Sequence, residues 1–282
     1  MNFRNIQFDF YTSDNFRLYS KIWLSENFDS DRVIVFHHGL GEHCDRYGSI
    51  IEILKEENFS FFSYDIRGHG RSSGNRGDSQ SILRYVLDLE EYIYTIKREY
   101  KISKPFLLGH SLGGLVTSYF CVRHTNQQEI KSLLLSAPAL KIPLEWVQYI
   151  KKIIGHTIFL FRPTLILKSG LNPKKISHNQ EVVKKYIQDP LVHSFISVRL
   201  GLDMFNAIEF VKNHCKKIKI PVWIGHGSMD TITSVEGSKE FYNTISSEDK
   251  ELKIYHGLYH EIFNESSDIP LKDFKDFVLR HL

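Results

Sequence analysis

Cysteine is scarce in this chain. The three present among 282 residues, Cys44, Cys121 and Cys215, are odd in number, far apart and without metal-ligand spacing. That pattern argues against a disulfide framework or a cysteine metal site, and free thiols in a reducing compartment are expected. Long apolar runs are missing too, since none approaches the roughly 18 residues a bilayer-spanning helix needs. Near the start, Asn2, Arg4, Asn5 and Gln7 interrupt the apolar residues, so no secretory signal is expected. These absences predict a cytoplasmic protein. Nor does charge of one sign dominate: 36 Lys and Arg face 33 Asp and Glu, a formal net charge of +3. Without a long basic block, nucleic acid is not expected as a partner. No repeat or low-complexity tract is visible.

What is present is an ordinary globular balance, 42% hydrophobic and 24% charged. The length lies near the upper end of what one core supports, which predicts one large domain carrying an insertion. Residues 7–11 and 16–24 alternate apolar and polar around Ser13-Asp14-Asn15, a hairpin signal. Residues 32–38, 59–64, 105–108, 132–136, 220–225 and 252–255 are apolar runs of strand length, the first with β-branched and aromatic residues typical of a strand buried on both faces. Helical spacing separates them, as in residues 82–100, where apolar residues recur at 82, 83, 86, 89, 93 and 96. Further helices are predicted at about 112–123, 235–245 and 269–279. The rhythm breaks only between residues 139 and 214, where Pro143, Gly155, Pro163, Pro173 and Pro190 divide amphipathic pieces. The expected fold class is α/β: a mainly parallel, eight-stranded sheet flanked by helices, with a mostly helical lid inserted after the sixth strand. In residue terms, 1–138 and 215–282 form the core and 139–214 the lid.

Strand 105–108 runs into Gly109-His110-Ser111-Leu112-Gly113-Gly114. An apolar strand ending in Gly-x-Ser-x-Gly before a helix reads as a nucleophile elbow, with the glycines making room for a strained, exposed serine. Ser111 is therefore a candidate nucleophile. It needs a base, a carboxylate to orient that base and N–H donors for an oxyanion. Strand 220–225 leads into a loop carrying Asp230, and strand 252–255 into one carrying His256 and His260. The order Ser111, Asp230, His260 is that of the α/β-hydrolase arrangement. His256 is the rival base. His260 is preferred because it lies farther from the strand end, where a loop can bring an imidazole back to the serine. The arrangement takes its oxyanion donors from Leu112 and from the loop after the third strand, where Leu40 is the candidate.

Taken together, these pieces resemble the monoacylglycerol lipases and lysophospholipases of the α/β-hydrolase superfamily. The resemblance rests on His38-Gly39-Leu40-Gly41-Glu42-His43 with Arg46-Tyr47, on Gly68-His69-Gly70-Arg71-Ser72 and on the elbow. Later pieces are Asp189-Pro190-Leu191, Gly227-Ser228-Met229-Asp230 and Gly257-Leu258-Tyr259-His260-Glu261. It implies a polar pocket for the alcohol part of the substrate at Glu42, Arg46, His110 and Tyr186. An ion pair between Glu42 and Arg46 that only fixes the loop is the competing reading. The chain departs from animal members at Leu40, where they carry a small side chain, and through much of the lid.

Within the lid, Trp146, Ile150, Ile153, Ile154 and Phe161 approximate one helical face, with Lys151 and Lys152 off it, and residues 158–161 add an apolar cluster. Packing against the core or around an acyl chain is expected, with peripheral membrane contact as the alternative. The expected activity is hydrolysis of single-chain lipid esters through an acyl-enzyme, with no metal or organic cofactor. Competing readings are a short-chain carboxylesterase, a peptidase on the same fold and a non-catalytic scaffold. A dehalogenase or epoxide hydrolase would need a carboxylate where Ser111 stands.

Overall fold

The computed structural model describes residues 3–124, 129–143 and 160–282. β1 (Phe3–Tyr11) and β2 (Arg17–Ser25) form the expected antiparallel hairpin, in register from Phe3 opposite Ser25 to Tyr11 opposite Arg17. β3 (Val33–His37), α1 (Gly48–Ile53), β4 (Ser60–Tyr64), α2 (Ile82–Tyr100), β5 (Phe106–His110), α3 (Leu112–Arg123) and β6 (Ser132–Ser136) follow in alternation. Beyond them lie β7 (Ile166–Lys168), α4 (Gln180–Gln188), β8 (Phe195–Ser197) and α5 (Val198–His214). The chain then returns to the sheet with β9 (Val222–Gly227), α6 (Val235–Thr244), β10 (Lys250–Tyr255) and α7 (Ile269–Arg280).

Eight strands make one sheet in the order β1-β2-β4-β3-β5-β6-β9-β10. β2 runs antiparallel to both its neighbours, and every pairing from β4 to β10 is parallel. The fold is thus α/β with a mainly parallel sheet, as expected. Its central strands read as continuous apolar runs, yet they still obey the two-residue period of a pleat. Val33, Val35, Leu107, Leu133, Leu135, Val222 and Ile224 join one core with α2, α3 and α5. Ile34, Phe36, Phe106, Leu108, Leu134 and Trp223 join the other, with α1 and α7. Helices on both faces make both sides apolar, which hides the alternation from a reader of the sequence.

Two helices show how sequence fixes local structure. α2 is amphipathic: Ile82, Tyr85, Val86, Leu89, Tyr92, Ile93 and Ile96 are buried on one face. Ser81 starts it by accepting a hydrogen bond from Arg84 N at 3.1 Å. α3, in contrast, is buried nearly all round, ten of its twelve residues being enclosed. Such a helix has to lie between layers. It packs on β5 and β3 within and on α2 and α5 outside.

The described part of 139–214 is not only helical. β7 and β8 pair antiparallel as a short ribbon, which the sequence reading did not foresee because three-residue strands leave no visible alternation. α5 buries Leu200, Met204, Ala207, Ile208 and Val211 in the main core, so this helix is part of the layer that covers the sheet. Of the apolar lid face, Trp146, Ile150, Ile153, Ile154, Ile158 and Phe159 lie outside the described residues, while Leu160 and Phe161 are 76% and 82% exposed. No helix among the described residues is long and apolar enough to cross a membrane.

Candidate active site

β5 ends at His110, and Ser111 caps α3 with φ 55° and ψ −119°. A side chain is rarely found in that region, and the strain is held by bonds on both sides. Ser111 N donates to Ser136 O at 3.0 Å, and Ser111 O accepts from Gly114 N, Leu115 N and Ala139 N at 2.9, 3.2 and 2.9 Å. The flanking glycines are needed for approach. A Cβ at Gly109 would stand 2.4 Å from Gly113 O, and one at Gly113 would stand 2.0 Å from His37 O. The elbow therefore presses against β3 itself.

The acid and base arrive from two other strand ends. Beyond β9, Asp230 Oδ1 accepts Ile232 N at 2.7 Å and Thr233 N at 3.1 Å. Its Oδ2 lies 2.6 Å from His260 Nδ1, 2.8 Å from Thr233 Oγ1 and 3.1 Å from His226 Nε2. Burial would raise the Asp230 pKa, but His260 and His226 hold it far below the usual carboxylate range. Burial likewise pulls His260 down, yet the Asp230 carboxylate outweighs it and leaves the imidazole above its ordinary 6.5. His110 lies against this base with ring centroids 4.7 Å apart. Burial pushes His110 down to about 3, so it stays neutral and does not repel an imidazolium at His260. His256, the rival base, is exposed just past the end of β10.

The loop after β3 runs beside the serine: a Cβ at Gly39 would come within 3.1 Å of Ser111 Cβ. Leu40 lies in this turn with its side chain packed on the main core. Leu112 opens α3, and its N–H belongs to the first-turn donors that no carbonyl of the same helix can take.

The four residues expected around the alcohol also converge. Glu42 Oε1 accepts Gly39 N at 2.6 Å and Tyr47 Oη at 2.9 Å, and Glu42 Oε2 lies 3.4 Å from Arg46 Nε. Arg46 Nη2 reaches both oxygens of Glu261 at 2.7 Å, and its guanidinium lies 4.4 Å from the centroid of the Tyr186 ring. Glu42, Arg46, Tyr47, His110, Ser136 and Glu261 line a cavity of about 20 Å³, room for one water. Burial would raise Glu42, but the Arg46 guanidinium beside it outweighs burial and keeps it a carboxylate.

A sequence pattern described as Hydrolase_4, serine aminopeptidase, S33, matches residues 29–267. The chain belongs to this family. Among its relatives, the monoglyceride lipase of Rattus norvegicus is 27% identical over 259 residues, covering 91% of this chain and 84% of the relative. The monoacylglycerol lipase of Mycolicibacterium smegmatis is 26% identical over 268 residues, 94% of each chain. Among solved structures, the Paleococcus ferrophilus monoacylglycerol lipase superposes with a TM-score of 0.83 at 33% identity, covering 94% of this chain and 99% of that one. A soluble variant of the Saccharomyces cerevisiae monoglyceride lipase, in complex with a substrate analog, gives 0.84 at 24% identity over 100% and 96%. Its likeness is one of fold. With these relatives, the Hydrolase_4 chain has the α/β-hydrolase fold.

Three members of the cluster escaped sequence reading. His226 and Thr233 both hold Asp230, and Glu261 clamps Arg46. His226, at the end of a buried strand and four residues before the acid, carried a signal. Thr233, three residues beyond Asp230 in the same loop, looks like any turn residue, and Glu261 stood in the Gly257–Glu261 motif without its partner, since Arg46 lies 215 residues away.

Proposed function

We propose that this chain is a serine hydrolase that cleaves carboxylic esters of single-chain lipids, foremost monoacylglycerols. The observation that carries the reading is the buried Asp230–His260 bond of 2.6 Å, with the His260 ring against His110, the residue before the strained serine. Ser111 Oγ attacks the ester carbonyl while His260 Nε2 takes its proton, and Asp230 holds Nδ1–H and stabilises the imidazolium. The N–H groups of Leu40 and Leu112 receive the oxyanion. Collapse of the tetrahedral species expels the alcohol, protonated by His260. A water molecule, deprotonated by the same histidine, then releases the fatty acid.

Glu42, Arg46, His110 and Tyr186 form the pocket for the alcohol. Among the described residues its cation, Arg46, stands between the carboxylates of Glu42 and Glu261, so a neutral glycerol head matches it better in charge than a lysophospholipid's phosphodiester, which would meet two carboxylates. Within 139–214, residues 160–197 act as the lid, since α5 belongs to the layer that covers the sheet. Leu160, Phe161, Leu167 and Phe195 are exposed there, beside Arg162 and Lys168, a combination suited to peripheral contact with an anionic lipid surface. The three cysteines are buried, which fits a reducing, cytoplasmic setting.

The test is hydrolysis of a panel of monoacylglycerols, lysophospholipids, short p-nitrophenyl esters and aminoacyl amides by the parent protein and Ser111→Ala. Monoacylglycerols are expected to give the highest kcat/KM, with loss of activity in the variant. The description of the family as serine aminopeptidase favours one second reading, a peptidase. Turnover of aminoacyl amides above esters would establish it.

A further inference from the structure

The loop that carries the base is fastened to the segment between the short 3₁₀ turn Pro173–Lys175 and α4, and the fastening passes through one carboxylate. Glu265 has a side chain only 1% exposed, and both of its oxygens are filled. Oε1 accepts Tyr259 N at 2.9 Å and faces His178 Nδ1 at 3.0 Å. Oε2 accepts His178 N at 2.9 Å and Ser177 Oγ at 3.1 Å. The Tyr259 ring stacks on the His178 imidazole with centroids 3.7 Å apart. On the far side of the base, Glu261 N donates to Ile176 O at 2.7 Å. Tyr259 and Glu261 flank His260, so the peptide N–H on each side of the base ends on this brace. Two backbone donors, Tyr259 N–H and His178 N–H, end on this carboxylate, and the Ser177 hydroxyl, shared with Asn264 O, and His178 Nδ1 face its remaining acceptor sites.

We propose that Glu265 is a positioning residue for His260: it ties the loop backbone to residues 176–178 and so keeps the imidazole on Asp230. The inference rests on the reading of His260 as the base of Ser111. It makes the seating of residues 176–178, which lead into α4 and Tyr186, a determinant of base alignment. Burial alone does not explain a carboxylate here. An apolar side chain would fill the space equally well but would leave Tyr259 N–H and His178 N–H unpaired.

The rate of fluorophosphonate labelling as a function of pH reads the serine and its base without reference to any lipid substrate. The groups facing His260 are Asp230, His110, Glu261 and Glu42, with His226 behind Asp230. None of them is altered by a change at Glu265, and Ser177→Ala removes no charge, so a shift shared by the Glu265 and Ser177 variants reports alignment and not the loss of a carboxylate. In Glu265→Ala, judged folded by circular dichroism, labelling is expected to slow about 10- to 100-fold, the effect of an ångström-scale misplacement. The acid limb moves to lower pH as His260 loses part of the Asp230 contact that raises it. Glu265→Gln keeps a carbonyl for Tyr259 N–H but turns an amide against His178 N–H, and is expected to recover part of the rate. If Glu265→Ala does not fold, Glu265→Gln and Ser177→Ala carry the same test, each slowing labelling with the same shift. Folded variants labelled at the parent rate, or slowed with an unmoved acid limb, overturn the proposal. A parent protein that takes no label overturns the assignment of Ser111 instead.

Discussion

Ser111 occupies a backbone conformation that glycine alone enters freely, at φ 55° and ψ −119°. The strain serves to aim the hydroxyl, so relieving it should stabilise the protein while removing the chemistry. Ser111→Gly is expected to exceed Ser111→Ala in unfolding free energy by about 1 kcal/mol, the strain of such a residue offset by the chain entropy of glycine. Urea unfolding of the two variants measures the difference, and equal stabilities would show that the turn is unstrained. At Asp230 the expected effect is on pH. His260 acts as the neutral imidazole and its pKa is raised, so kcat/KM should rise with pH along an acid limb lying above 6.5. In Asp230→Asn the pull of the carboxylate is gone and burial prevails. The limb should then move down in pH while kcat falls by about 10⁴-fold. The contact of Asp230 with His260 was legible in the sequence because each follows its own strand end. The bond from Glu261 to Arg46 was not, since it joins segments 215 residues apart whose approach depends on the whole sheet, and the bond from Thr233 to Asp230, though local, has no pattern that sets it apart from an ordinary turn.

Among the elements, α3 is the most constrained. It is buried nearly all round, and its first turn touches the backbone of β3 at Gly113. Gly113→Ala would place a methyl group 2.0 Å from His37 O and 2.8 Å from His38 O. Since neither neighbour is a flexible side chain, the helix has to back away from the sheet, at about 3 kcal/mol or more. Chemical denaturation of the variant checks this; a change below about 1 kcal/mol, within what cores absorb, would contradict it. Helices α2 and α3 and the central strands were legible from apolar spacing and runs. The ribbon of β7 and β8 was not, being too short for a period to show. Nor was the role of α5, for its amphipathic pattern indicates a buried face without saying which layer it meets.

For the molecule as a whole, carboxylates both inside and outside the site region are held below their ordinary pKa, among them Asp14, Glu42 and Asp230. Asp14 is lowered by its bond to Arg67. Glu42 and Asp230 are lowered despite burial, by Arg46 and by His260 with His226. Groups with a depressed folded pKa contribute stability above their unfolded value, and lose it as pH falls through the folded one. Thermal unfolding should therefore weaken most steeply below pH about 4, the unfolded range of Asp and Glu. A Tm that is flat from pH 5 to 3 would contradict this. The doubly covered sheet was legible at this scale because buried strands alternated with amphipathic helices. The seating of residues 160–197 over the strand ends was not, as prolines and short pieces there give a pattern that several arrangements satisfy.

The account stands on Ser111 being the nucleophile activated by His260 and Asp230. Its most direct measurement is mass spectrometry of the peptides of the fluorophosphonate-treated protein, run beside Ser111→Ala and His260→Ala. The adduct is expected on Ser111 of the parent, absent from Ser111→Ala and slow to form in His260→Ala. An adduct on another residue, or monoacylglycerol hydrolysis at the parent rate in Ser111→Ala, would contradict it.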